Sequence, residues 1–156
     1  MMMSEPKMHV EIESRLENVE LVQIAIESSL ARLELTEDDA HQIGTSIREA
    51  VANAIKHGNQ GDTSKLVKVE LGIDNGDLLI RVHDQGIGFD EKGVPNPLEP
   101  ENLLRRNGRG ILLMKRYMDQ IEYTFQPENG TVLEMRKGLA VLRSNSAKQE
   151  QEEETQ

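Results

Sequence analysis

The 156-residue chain contains no cysteine. That absence removes disulfides, thiolate chemistry and Cys-based zinc sites. Tryptophan is also missing, and there are only two Phe and two Tyr, so a core has to come from Leu, Ile, Val and Met. No apolar run approaches the roughly 18 residues of a membrane span, and no membrane partner is expected. Residues 1–7 lack the apolar stretch of a signal peptide, which makes the cytoplasm the expected compartment. Positive charge is scarce as well: 18 Lys and Arg stand against 28 Asp and Glu, a net charge of −10. Nucleic acid is not an expected partner, because phosphate backbones call for a basic surface. An anionic ligand would need local help from backbone N–H groups, a metal or a few gathered cations.

What remains is 37% hydrophobic and 29% charged residues, the balance of a soluble globular chain long enough for one core. Met8 to Ile12 alternates weakly, as a short first strand would. Ser14-Arg15-Leu16-Glu17 reads as a capping box. Behind it Leu16, Val19, Val22, Ile26, Leu30 and Leu33 recur every three or four residues, which predicts an amphipathic helix. Thr36-Glu37-Asp38-Asp39 predicts a second helix start, its acids placed where the helix dipole favours them. That helix is expected to run to about His57 and to be capped by Gly58. Val67 to Ile73 and Leu78 to Val82 alternate around Asn75-Gly76, a two-residue hairpin signal. Gln85 to Gly108 holds three of the five prolines and shows no period, so it is expected to form a lid. A short helix, Arg109 to Met118, a strand through Ile121, Tyr123 and Phe125, a turn at Pro127 to Gly130 and a strand from Thr131 to Lys137 complete the pattern. The expected fold is α/β: a two-layer sandwich with helices on one face of a mixed, mostly antiparallel sheet. Expected organisation is a flexible 1–7, a single domain 8–138 and a polar acidic tail 139–156 that lacks order.

Three segments carry candidate chemistry. On the second helix Glu49, Asn53 and Lys56 stand at i, i+4 and i+7, within about 60° of one another at 100° per residue. Ile43, Ile47, Ala50, Val51 and Ala54 fall on the opposite side. From spacing alone a solvated helix face is the simpler reading. Asp84-Gln85-Gly86-Ile87-Gly88 follows a strand, with a carboxylate able to accept from a base amino group and glycines that allow close approach. An ordinary Asp-Gly turn explains it equally well, and neither a dinucleotide fingerprint nor a Walker loop is present. Asn107-Gly108-Arg109-Gly110 runs into a helix, where free N–H groups and the dipole favour an anion. Arg105, Arg106 and Arg109 add charge there, although a plain connector before a helix would look the same. His9, His41, His57 and His83 show no ligand spacing and are read as structural. The Ile111 to Met114 run is read as core.

Taken in order, these pieces resemble the GHKL ATPase superfamily, whose domain has the Bergerat fold. Glu49 to Gly58 is similar to its N-box, Asp84-x-Gly86-x-Gly88 to its first glycine box, Gly108-Arg109-Gly110 to its second and Gly130-Thr131 to its closing element. Within it the chain looks most like bacterial anti-sigma-factor serine/threonine kinases of the RsbW/SpoIIAB type. The resemblance implies ATP and Mg²⁺ as cofactors, with Asn53 as the metal ligand and Glu49 as the general base that takes the proton of the attacking serine. Asp84 would bind the adenine amino group, and Gly86 and Gly88 would shape the nucleotide turn. The Gly108 to Gly110 amides would hold phosphate. Lys56, Arg105, Arg109 and Thr131 complete the expected nucleotide contacts. Implied partners are a STAS-type anti-anti-sigma protein as substrate, a sigma factor, and a second copy in a homodimer. Two alternatives accompany this reading: an ATP-responsive binding module without kinase activity, and a histidine-kinase-like catalytic domain. Glu49 favours the enzyme over the module, and the chain length leaves no room for a phospho-accepting helix pair.

Overall fold

A computed structural model describes residues 8–87, 108–126, 128–139 and 151, 154 and 155. Five strands, β1 (Met8–Glu13), β2 (Leu66–Asp74), β3 (Asp77–His83), β4 (Gln120–Gln126) and β5 (Gly130–Gly138), form one sheet in the order β1-β2-β3-β5-β4. All four ladders are antiparallel, where the sequence left room for a mixed sheet. The helices are α1 (Asn18–Leu30), α2 (Glu37–Asn53) and α3 (Gly108–Tyr117). The expected flexible 1–7, most of the lid expected over Gln85 to Gly108 and most of the tail after 139 lie outside the described residues.

Alternation decides which side of the sheet is covered. Val10, Val69, Val82, Leu133 and Tyr123 lie in one register row, and Met8, Leu71, Ile80, Met135 and Ile121 in the next. These rows join Val22, Ile26, Ile43, Ile47, Val51, Ile111 and Met114 in a single core. A fully buried Ile, Val or Leu contributes about 1.5–3 kcal/mol, so this core is the main source of stability. The alternate positions carry His9, Glu70, Arg81 and Glu134 in one row across the opposite face. Arg81 pairs there with Glu134 at 2.8 Å. Asn75 and Gly76 take φ of 48° and 81°, the left-handed pair a type I′ hairpin requires.

Two helix boundaries differ from the sequence reading. Thr36 caps α2 as expected, accepting from the Asp39 N–H at 3.1 Å. Ser14 caps nothing: α1 begins at Asn18 without a side-chain cap. Its hydroxyl is buried, donating to the Lys65 carbonyl at 2.7 Å and accepting from Asn59 Nδ2 at 2.9 Å. The capping box was a local pattern, and a long-range bond took its key oxygen. Leu16, expected on the buried stripe, precedes α1 and is exposed. At the far end of α2 the chain passes into a π turn, Ala54–Gly58, closed by Asn59 N–H to Ala54 O at 2.8 Å. Gly58 is therefore no left-handed cap. The positive φ values come later, at Gln60 and Gly61.

Candidate functional site

Glu49 is half-buried near the C-terminal half of α2. A Cβ on Gly110, in the first turn of α3, would run into Glu49 Oε2. Two sequence motifs far apart in the chain thus meet, close enough that a side chain at Gly110 would push the end of Glu49 aside. One turn further along α2, Asn53 holds its side-chain nitrogen buried without a partner among the described residues. A half-turn of the amide would put the oxygen there instead. Ser46 Oγ, about a turn before Glu49, is likewise buried and unpartnered among the described residues. Lys56 is exposed. The i+7 count that grouped it with Glu49 and Asn53 assumed α turns throughout, whereas the π turn takes more residues per turn. Among the described residues no hydrogen bond or ion pair joins it to either. Arg109 is exposed beside Gly110, and Gly108 opens the helix. Gly88 and Arg105, both expected at the site, lie outside the described residues, as does Arg106.

Asp84 follows β3 and is buried. Its Oδ1 accepts from the Gly86 N–H at 2.9 Å and the Thr131 N–H at 3.3 Å. Its own N–H donates to the Thr131 carbonyl at 2.9 Å. Thr131 therefore acts on Asp84 through its backbone. Oδ2 lies over Gly58, where a Cβ would strike it. A Cβ on Gly86 would strike the Gly58 carbonyl, and one on Gly130 the Asp84 carbonyl. Gly130 also has φ +90°, a conformation that suits glycine. Three glycines from three segments thus close around one carboxylate. Burial pushes the Asp84 carboxyl up from its ordinary value, and the hydrogen bonds from Gly86 and Thr131 oppose that shift. Such a carboxylate, half satisfied by two amides, suits a ligand that brings an N–H donor to Oδ2.

Asn59 escaped the sequence reading. It is buried, donates from Nδ2 to Ser14 Oγ at 2.9 Å and to the Leu66 carbonyl at 3.0 Å, and accepts at Oδ1 from the Gln85 N–H at 2.7 Å. Gln85 Oε1 in turn accepts from the Leu66 N–H at 2.6 Å. The end of the π turn, the start of β2 and the segment after β3 are thereby tied together beside Asp84. An asparagine between a helix and a strand carries no local pattern that separates this role from a solvated loop.

The described residues offer no group of three or more His, Cys, Asp or Glu able to hold a metal. Glu49 and Asn53 fit a hard cation that brings most of its oxygen ligands with a phosphate.

Residues 12–137 match the family model described as the histidine kinase-like ATPase domain. The anti-sigma F factor of Clostridium beijerinckii is 32% identical over 144 residues, spanning 90% of this chain and 99% of that protein. Those of Clostridium perfringens and Geobacillus kaustophilus are 34% and 31% identical, over 85% and 86% of this chain and 96% and 93% of theirs. Among solved structures, the RsbU and RsbW domains of a Mycobacterium tuberculosis protein align with a TM-score of 0.63 at 17% identity, over 87% of this chain and 32% of that one. The catalytic domain of the histidine kinase ThkA aligns at 0.53 and 16%, over 84% and 97%. At those identities the two structures speak for the fold alone.

Proposed function

The chain belongs to the histidine kinase-like ATPase domain family, and from that premise we propose that it is an ATP- and Mg²⁺-dependent protein serine/threonine kinase acting as an anti-sigma factor. In this reading it phosphorylates a STAS-type anti-anti-sigma protein and sequesters a sigma factor, as a cytoplasmic homodimer built on one domain, 8–138. Among the described residues no helix is long and apolar enough to cross a membrane. The partner assignment draws on the relatives, which are named anti-sigma F factors and are spanned almost end to end.

The observation that carries the catalytic reading is the meeting of Glu49 with the first turn of α3. The N–H groups of that turn suit a phosphate. A carboxylate held beside it is placed to accept the proton of an attacking serine hydroxyl. Asp84 Oδ2 would accept from the adenine amino group, with Gly58, Gly86 and Gly130 keeping the approach clear. Asn53, by its amide oxygen, would hold Mg²⁺, which supplies charge neutralisation at the phosphates. Lys56, Arg105 and Arg109 are the proposed cations of the site, and Gly88 a further part of the nucleotide turn. Phosphoryl transfer depends chiefly on positioning and electrostatics, so this small set is chemically sufficient.

Glu49→Gln is expected to bind ATP normally and to transfer phosphate to a STAS substrate about 10²–10⁴-fold more slowly. Transfer at the full rate would remove Glu49 as the base. Transfer absent from the unaltered protein, with ATP-dependent partner capture intact, would favour the non-enzymatic binding module. Asn53→Ala should leave ATP binding indifferent to Mg²⁺.

A further inference from the structure

Along the helix-facing side of β5 the sequence reads Leu133, Met135, Lys137, with Leu139 just beyond the strand. A lysine breaks the apolar pattern at a position that is 7% exposed. Burying an ammonium costs several kcal/mol unless it is paired and hydrogen-bonded, and methionine would fill the same space without that cost. Lys137 is fully engaged: Nζ donates to Gln42 Oε1 at 2.7 Å and to the Tyr117 carbonyl at 2.8 Å, and stands 3.9 Å from Asp39 Oδ1. Gln42 and Asp39 belong to the first half of α2, and Tyr117 supplies the last carbonyl of α3. One side chain thus joins β5, α2 and α3. Asp119 also ties the segment after α3 to β5, accepting from the Gly138 N–H at 2.7 Å.

The consequence lies at the other end of the same helix pair. α2 and α3 run antiparallel: Gly110 faces Glu49, while the Tyr117 ring meets His41 edge-on at 5.9 Å and its carbonyl shares Lys137 with Gln42. Gly110 and Tyr117 are two turns apart, about 10 Å along the axis at 1.5 Å per residue. A helix that short behaves as a rigid rod, so its setting at Tyr117 fixes where its N-terminal amides lie against Glu49. We infer that Lys137 is a positioning residue: its ammonium sets α3 against α2 and so holds the phosphate-binding turn at the distance that the site requires. The inference rests on the nucleotide reading above. The Asp84 end of the site hangs from β3 and β5 and does not depend on α3.

That separation supplies the test. Lys137→Met keeps the stem and removes the ammonium. Equilibrium binding of ATP with Mg²⁺ and of adenosine is measured for both proteins, together with Tm. The adenosine Kd is expected to stay within about twofold, because that end is independent. The preference for ATP over adenosine should fall by about tenfold or more, as small misplacements of charged contacts are costly. Lys137→Arg, which keeps the charge, should recover part of the preference. A lower Tm with an unchanged preference would make Lys137 a merely structural residue and overturn the inference. Equal binding of ATP and adenosine by the unaltered protein would instead overturn the nucleotide reading itself. If Lys137→Met does not fold, Gln42→Ala decides the matter. It withdraws one acceptor and leaves the lysine, and an unchanged preference there is equally fatal.

Discussion

Asp84 shows how a single buried charge divides stability from function. Burial raises its carboxyl value in the folded protein above that of the unfolded chain. The folded state therefore holds the proton more tightly, and stability is lost as pH rises through the folded value. Above that value the ionised carboxylate costs stability that a bound N–H donor would relieve. Asp84→Asn has the same shape and does not titrate. It is expected to be more stable than the unaltered protein at pH 7, with the gain shrinking as pH falls toward about 4, the ordinary carboxylate value. Urea midpoints across that range check the sign. The same variant should bind ATP roughly 10- to 150-fold more weakly, the loss of one charge-assisted hydrogen bond of about 1.5–3 kcal/mol. At this scale the sequence was informative for side chains whose neighbours are local. Glu49 and Asn53 share a helix face by arithmetic, and Asp84 sits among glycines that can be read off directly. Asn59 and Lys137 stayed hidden, because their partners lie 45 and 95 residues away.

Among the elements, the hairpin β2–β3, the Thr36 cap and the α3 start follow from short-range rules and were legible as such. The π turn was not, since Ala54 to Gly58 contains nothing that forbids an α-helix. It exists because Asn59 is held from three sides and Gly58 has to pass beneath Asp84. Ser14 failed as a cap for a related reason, its hydroxyl being taken by Lys65 and Asn59. Asn59 is accordingly the residue on which this junction depends. Asn59→Ala leaves Ser14, Leu66 and Gln85 each short of a partner, at about 1 kcal/mol or more apiece. A loss near 3 kcal/mol in a denaturant titration is expected, with weakened ATP binding, because Gln85 precedes the glycine turn below Asp84. Ser14→Ala, which leaves Asn59 Nδ2 and the Lys65 carbonyl each short of a partner, should cost about two-thirds as much.

For the molecule as a whole, folding and ligand binding are linked. A ligand present at 100 times its Kd stabilises the folded state by about 2.7 kcal/mol. For a chain of this size that corresponds to a Tm rise of roughly 5–10 °C. ATP with Mg²⁺ should give such a rise, chelation of the metal should remove most of it, and Asp84→Asn should cut it to about half or less at the same ATP concentration. An acidic protein of net charge −10 that still gains stability from a polyanion must supply its compensation locally, at the α3 amides, the metal and the few cations. Sheet order has a different consequence, one of timing. The β2–β3 hairpin closes across two residues, whereas β1 reaches β2 only after both long helices have been threaded between them; Ser14 and Lys65 are 51 residues apart. Loop-closure entropy makes such distant pairings late events in folding. The β3–β5 pairing spans a similar distance, so the N-terminal strand is among the last to zip onto the sheet; lying at its edge with β2 as its one neighbour there, it should in the native state be among the first whose amide hydrogens exchange with solvent.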